Sequence, residues 1–184
     1  MKGLMRSLIV IVLGGALAAC TPGGGGSPTP TVTPTPSVTP TPTPQWTPEE
    51  QGAIDGVFTY LEVASRIQQD LGDGKWDEIY DVAADQALDD TTTLWAEWYR
   101  KGWHIVGTPG FIPRIVTSGA GDGRGQRYHV DGCYILTGVY LVDSTGSRVG
   151  NTGAERRPIR YLVIRLKSDG SLLVLEDSLQ EGTC

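Results

Sequence analysis

The chain has 184 residues, of which 39% are hydrophobic, and sets 15 Lys+Arg against 21 Asp+Glu for a formal net charge of −6. An acidic surface repels phosphate and has no basic stripe to displace counterions, so nucleic acid is excluded as a partner.

The first residues have the order of an export signal. Lys2 and Arg6 supply a short positive region, Leu8 to Leu13 an apolar run too short to span a membrane, and Leu17-Ala18-Ala19-Cys20 a lipobox. Residues 1–19 are therefore read as a lipoprotein signal peptide. Cys20 becomes the new N-terminus, with its thiol carrying a diacylglycerol and hence palmitate-type acyl chains. Removing Lys2 and Arg6 leaves thirteen basic residues against twenty-one acidic ones, a net charge of −8. No polybasic segment assists membrane binding, so the lipid anchors alone. The expected location is the extracytoplasmic face of the cell membrane.

Residues 20–46 form the next unit. The stretch Thr21 to Pro48 holds nine of the twelve prolines, nine threonines and the run Gly23 to Gly26, with no charged residue and one aromatic, Trp46. Such a segment cannot bury enough apolar surface to fold and is expected to be a disordered Thr/Pro-rich stalk. In polyproline II, at about 3.1 Å per residue, twenty such residues reach up to roughly 60 Å from the bilayer. Thr/Pro stalks are also common substrates for O-glycosylation.

Residues 47–184 are the folded part, a length that suits one domain with a real core. Thr47-Pro48-Glu49-Glu50 is a capping box with proline at the first helical position. From there Ile54, Val57, Phe58, Leu61, Ala64, Ile67 and Leu71 follow helical spacing until Gly72-Asp73-Gly74. Trp76, Ile79, Tyr80, Ala83 and Ala84 predict a short second helix, and Leu88 to Lys101 a third, capped by Asp89 or Asp90. Strand patterns then occupy 104–106, 112–118, 126–136, 139–142, 159–167 and 172–177, between glycine-rich or polar turns. Helices first and an antiparallel meander after specify α+β. With Cys20 committed to lipid, Cys133 and Cys184 are the remaining pair, and in an oxidising compartment they are expected to be joined.

Tyr80, Ala83-Ala84, Ala87-Leu88, Arg100-Lys101-Gly102, Gly107-Thr108-Pro109, Cys133, Val142 to Gly146, Arg160-Tyr161 and the ending Gly182-Thr183-Cys184 carry a resemblance. Together they resemble exported lipoproteins of high-GC Gram-positive bacteria, whose small domain is similar to the NTF2-like α+β cone. The resemblance implies N-terminal helices packed on a curved antiparallel sheet, and a cystine between Cys133 and Cys184. It implies no reaction. Phages of such bacteria carry similar lipoproteins, so a viral origin is also implied. In that group an acidic residue usually directly precedes the strand cysteine, whereas here Gly132 separates Asp131 from Cys133, which bears on the local strand geometry.

Chemistry-bearing patterns are sparse. The glycines from Gly119 to Gly125 lie between strands with no Gly-Lys-Ser/Thr after them, and read as a hairpin tip. The acids Asp70, Asp73, Asp77 and Glu78 lack calcium-loop order, and His104 and His129 have no metal-ligand partner in spacing. No metal, cofactor or catalytic nucleophile is expected. Asp131 and Tyr134 have the residue types of an Asp/Tyr proton-transfer pair, but their spacing sends them to opposite faces of a strand. Trp95, Trp98 and Tyr99 share a helix face, either as core or as the lining of a pocket for an apolar ligand. Glu155 to Arg160 is the basic cluster of an acidic domain.

The function expected from these features is non-enzymatic. A membrane-anchored, stalk-presented domain would bind a protein partner or a small apolar ligand. The alternatives are a phage- or prophage-encoded lipoprotein that interferes with superinfection, and a small enzyme with an NTF2-like pocket marked by a buried carboxylate.

Overall fold

The computed structural model describes residues 46–73, 76–150 and 155–184. The expected signal peptide, Cys20 and the expected stalk up to residue 45 lie outside the described residues.

The first helix, α1 (Pro48–Gln69), starts where the capping box places it: the Thr47 hydroxyl accepts from the Glu50 amide at 3.2 Å and the Glu50 carboxylate accepts from the Thr47 amide at 2.8 Å. Trp46, expected in the stalk, instead packs against the core. An indole just ahead of a capped helix gains more from apolar contact than from water.

The second predicted helix is shorter than its apolar spacing suggests. Only Asp77–Asp81 turn, as a 3-10 helix, because Ala83 leaves to pair in parallel with Val174 of the last strand. The next helix, α2 (Asp85–Lys101), begins earlier than predicted, so Asp89 and Asp90 sit inside it and cap nothing. Its first residue, Asp85, has φ 50 and is held by the Arg124 guanidinium at 2.8 and 3.0 Å. Gly102, in the left-handed conformation at φ 66, ends it.

Six strands complete the chain: β1 (His104–Val106), β2 (Gly110–Ser118), β3 (Gly125–Ile135), β4 (Tyr140–Val142), β5 (Arg156–Leu166) and β6 (Leu172–Leu179). They form a four-stranded antiparallel sheet in the order β2-β3-β5-β6 and a two-stranded antiparallel pair of β1 and β4. The fold is α+β, as the element order requires. Gly119 to Gly125 do form the hairpin tip between β2 and β3, where the Asp122 carboxylate accepts from the amides of Arg124 and Gly125.

Two irregularities bend the sheet. Register shifts between Pro113 and Ile115 on β2, and again where Leu162-Val163 of β5 face Glu176 and Val174 of β6, leaving Leu175 as the extra residue. The inner face of the sheet then presents Phe111, Val116, Tyr128, Val130, Ile159, Tyr161, Val163 and Val174 to the core. From the other side α1 contributes Ala53, Ile54, Val57, Tyr60, Ala64 and Ile67. Gly132 keeps β3 in regular register, and its missing side chain makes room for Phe111, whose ring a Cβ there would overlap.

Cys133 and Cys184 are joined, with Cα atoms 5.8 Å apart, inside the ordinary range for a cystine. The bond ties the C-terminal tail to β3, assisted by the Gln180 amide donating to the Pro158 carbonyl at 2.9 Å. Cys184→Ser is expected to cost about 2–5 kcal/mol of stability. Denaturant melting of the variant and the parent measures this, and equal midpoints would show that the tail contributes nothing to the fold.

Candidate functional site

A cleft of about 350 Å³ is bordered by α1, α2 and the inner face of the sheet. That is the lower end of the range for small-molecule sites. Leu61, Ala64, Leu94, Ile159 and Leu179 make most of its walls apolar. Its polar groups converge from three elements: Tyr60 of α1, Asp90 and Thr91 of α2, and Tyr134, Tyr161 and Asp177 of the sheet.

Pairing explains why these sheet residues meet. Tyr134 and Tyr161 both lie on the inner face, Tyr161 directly opposite Asp177 across β5 and β6. The Tyr60 hydroxyl donates to the Asp177 carboxylate at 3.0 Å and lies 3.0 Å from the Thr91 hydroxyl. The second Asp177 oxygen has no hydrogen-bond partner among the described residues, nor do the hydroxyls of Tyr134 and Tyr161. No Lys, Arg or His lines the cleft.

The titration of this group reflects burial without a counter-ion. Loss of water raises the Asp177 carboxyl above its ordinary value, against the Tyr60 hydrogen bond that lowers it. Burial, then the nearby Asp177 charge, pushes the Tyr134 phenol up to about 12. Tyr60 and Tyr161 are also raised, burial again being the first cause. All three phenols stay protonated near neutral pH, and the Tyr60 hydroxyl donates to Asp177.

The sequence-derived candidates fall elsewhere. Asp131 and Tyr134 do point to opposite faces: Tyr134 reaches the cleft, while Asp131 forms a two-pronged ion pair with Arg160 at 2.6 and 2.8 Å. That pair also takes Arg160 out of the basic cluster. His104 lies in β1 and His129 in β3, and no group of His, Cys, Asp or Glu among the described residues could hold a metal ion.

The aromatic face of α2 splits. Trp95 is 0% exposed and packs edge-on to Trp76 at 6.1 Å, so it is core. Trp98 is half-buried and borders a smaller apolar pocket of about 220 Å³ with Ile105, Leu136 and Val139. Tyr99 is 53% exposed, so the expectation of one shared environment fails for it. At about 100° per residue, Trp98 and Tyr99 fall on either side of Trp95, and the Trp98 side also packs against the core while Tyr99 turns to the surface. Asp177 was not singled out from the sequence.

No family model and no curated protein matches the chain. Among solved structures it is similar to the intermembrane space region of chloroplast protein ARC6, with a TM-score of 0.54 and 17% identity over 76% of this chain and 100% of that one. A second match is a protein from Catenulispora acidiphila in complex with S-DNPA, with a TM-score of 0.37 and 13% identity over 68% of this chain and 92% of that one. The first likeness shows a shared α+β fold.

Substitutions should separate core from cleft. Trp95→Ala should lose about 3–5 kcal/mol through cavity formation, whereas Tyr99→Ala should lose at most about 1 kcal/mol; thermal melting distinguishes them. A carboxyl whose folded pKa is raised binds more protons folded than unfolded, so it favours the fold below the ordinary carboxylate range and loses that contribution as pH rises through its raised value. Asp177→Asn should therefore melt higher than the parent at neutral pH, the gap closing as pH falls into the carboxylate range. A variant that melts lower at neutral pH would show that the charge is compensated.

Proposed function

We propose that the protein is a lipid-anchored ligand-binding lipoprotein whose NTF2-like domain takes a small molecule into the cleft between its helices and its sheet. The anchor is Cys20 in the lipobox, and the Thr/Pro-rich residues from 20 to 45 are the stalk that holds the domain off the outer face of the cell membrane. The observation that carries binding is the cleft itself. Apolar walls surround three tyrosines, a threonine and two aspartates around one space, and that mixture orients a small ligand by hydrogen bonds while desolvating its apolar body.

Binding without chemistry is the reading adopted, because apolar walls with a few converging hydroxyls and carboxylates are what orients and desolvates a small ligand. One observation favours a second reading: Asp177 is a raised carboxyl, and such groups serve as proton-transfer bases. The two readings part on the ligand's fate. A bound compound recovered unchanged supports a binder, and one recovered isomerised or exchanged with solvent deuterium supports an enzyme.

A fragment library screened by NMR at the tyrosine ring signals tests the site. Hits should shift Tyr134 and Tyr161 and be lost in Ala64→Phe, which fills the cleft. Hits that gather elsewhere and survive Ala64→Phe would contradict the proposal. For the anchor, the protein is expected in the detergent phase after Triton X-114 separation, and Cys20→Ala in the aqueous phase, because two acyl chains hold stably where one binds reversibly. An unmodified parent in the aqueous phase would refute the lipobox reading.

A further inference from the structure

We propose that the ligand of the cleft carries an organic ammonium group, seated between the Asp177 carboxylate and the ring of Tyr134. This inference rests on the cleft being the binding site proposed above, and it names the chemical class of the occupant.

Charge favours a cation. Asp177 and Asp90 line the cleft and no basic side chain does, so a positive ligand meets attraction and an anionic one meets two carboxylates. Arg160 is held by Asp131 on the other face of the sheet and Arg124 in the hairpin tip by Asp85, while Arg157 and Arg165, which share the inner face, do not line the cleft.

Unused valence favours it too. Asp177 accepts a single hydrogen bond, from Tyr60, and its other oxygen is unpartnered among the described residues. A partly buried carboxylate left without a counter-ion is destabilising, and a cation placed on that oxygen removes the cost. The site is thus anionic before the ligand arrives.

The aromatic surface specifies an organic cation. Tyr161 lines the cleft across the strand pair from Asp177 but is 1% exposed, its ring covered edge-on by Phe111 at 5.3 Å, so it backs the site and the half-buried Tyr134 offers the ring. Tyr134 on the adjoining strand lines the cleft too, and Tyr60 stands edge-on to Tyr161 with ring centroids 6.2 Å apart. Aromatic rings next to a carboxylate bind alkylammonium groups through the ring quadrupole and by contact with the N-methyl or methylene carbons. A neutral alcohol of the same shape gains only the contact. A volume of about 350 Å³ leaves room for an apolar portion extending toward Leu94 and Leu179.

The test compares choline with its uncharged isostere 3,3-dimethylbutan-1-ol on the full chain, read by NMR at the Tyr134 and Tyr161 ring signals. Choline should bind at least about tenfold more tightly than the alcohol, and Asp177→Asn should abolish that preference while the variant stays folded by its melting curve. Equal binding, or a preference for the alcohol, would overturn the ammonium inference and leave the cleft reading in place. A preference for choline that survives Asp177→Asn would also overturn it, because the seat would then lie elsewhere. A panel of neutral apolar fragments of similar size runs alongside. Shifts from the panel but not from choline reject the cation alone, and silence from every probe rejects the cleft reading with it.

Discussion

A Cβ on Gly56 would stand 3.1 Å from the Leu172 Cβ and 3.6 Å from a Val163 methyl. At that point α1 therefore lies almost against β5 and β6, so close that a side chain there would push Leu172 back by a few tenths of an ångström. The rest of the domain is organised by this contact. It fixes one end of α1 on the sheet, so that Val57, Ala53 and Ile54 are sealed against Val163 and Val174. Farther along, from Tyr60 to Gln68, the same helix borders the cleft. A helix seated by small residues at one end and by tyrosines at the other makes a closed core and an open site within one layer.

The opposite face of the sheet carries polar and covalent work instead. Asp131 and Arg160 pair there, and the disulfide fastens the tail to β3. The alternation of faces turns Arg160 away from Asp177, and Arg157 and Arg165, on the inner face, do not line the cleft, so burial raises the carboxyl with no counter-ion beside it. Arg160 stands one residue before Tyr161 and points the other way. A strand's two-residue period thus sets the electrostatics of the cleft.

How much of this could be read from the chain depends on which residues are asked about. Thr47 and Glu50 marked the start of α1 because the capping box is a local signal, satisfied by atoms three residues apart. The pairing of Cys133 with Cys184 followed from having no other free partner. The α2 stripe was harder: the spacing of Trp95, Trp98 and Tyr99 gives a common face, but which third of it meets the core depends on how the helix rolls against β6. Asp177 was not legible at all. Leu172 and Val174 are inner residues, so strict alternation puts 176 inside and 177 outside. The extra residue Leu175 reverses the parity, and Asp177 turns inward opposite Tyr161. A bulge is a tertiary event, set by the curvature that two neighbouring strands must share, and nothing in Leu-Leu-Val-Leu-Glu-Asp announces it.

Asp177 is an inward-facing, partly desolvated carboxylate with no counter-ion among the cleft residues, and this is what makes the cleft a site rather than a gap in the packing. Its own titration measures this most directly, monitored by the carboxyl carbon-13 shift of Asp177 in the ligand-free protein. The expected midpoint lies above that of an ordinary aspartate, with the Tyr134 and Tyr161 ring signals moving in the same transition. A midpoint at or below the ordinary value, with the tyrosine signals unmoved, would mean that Asp177 faces water or a cation of the protein's own, and the binding site would have to be sought elsewhere.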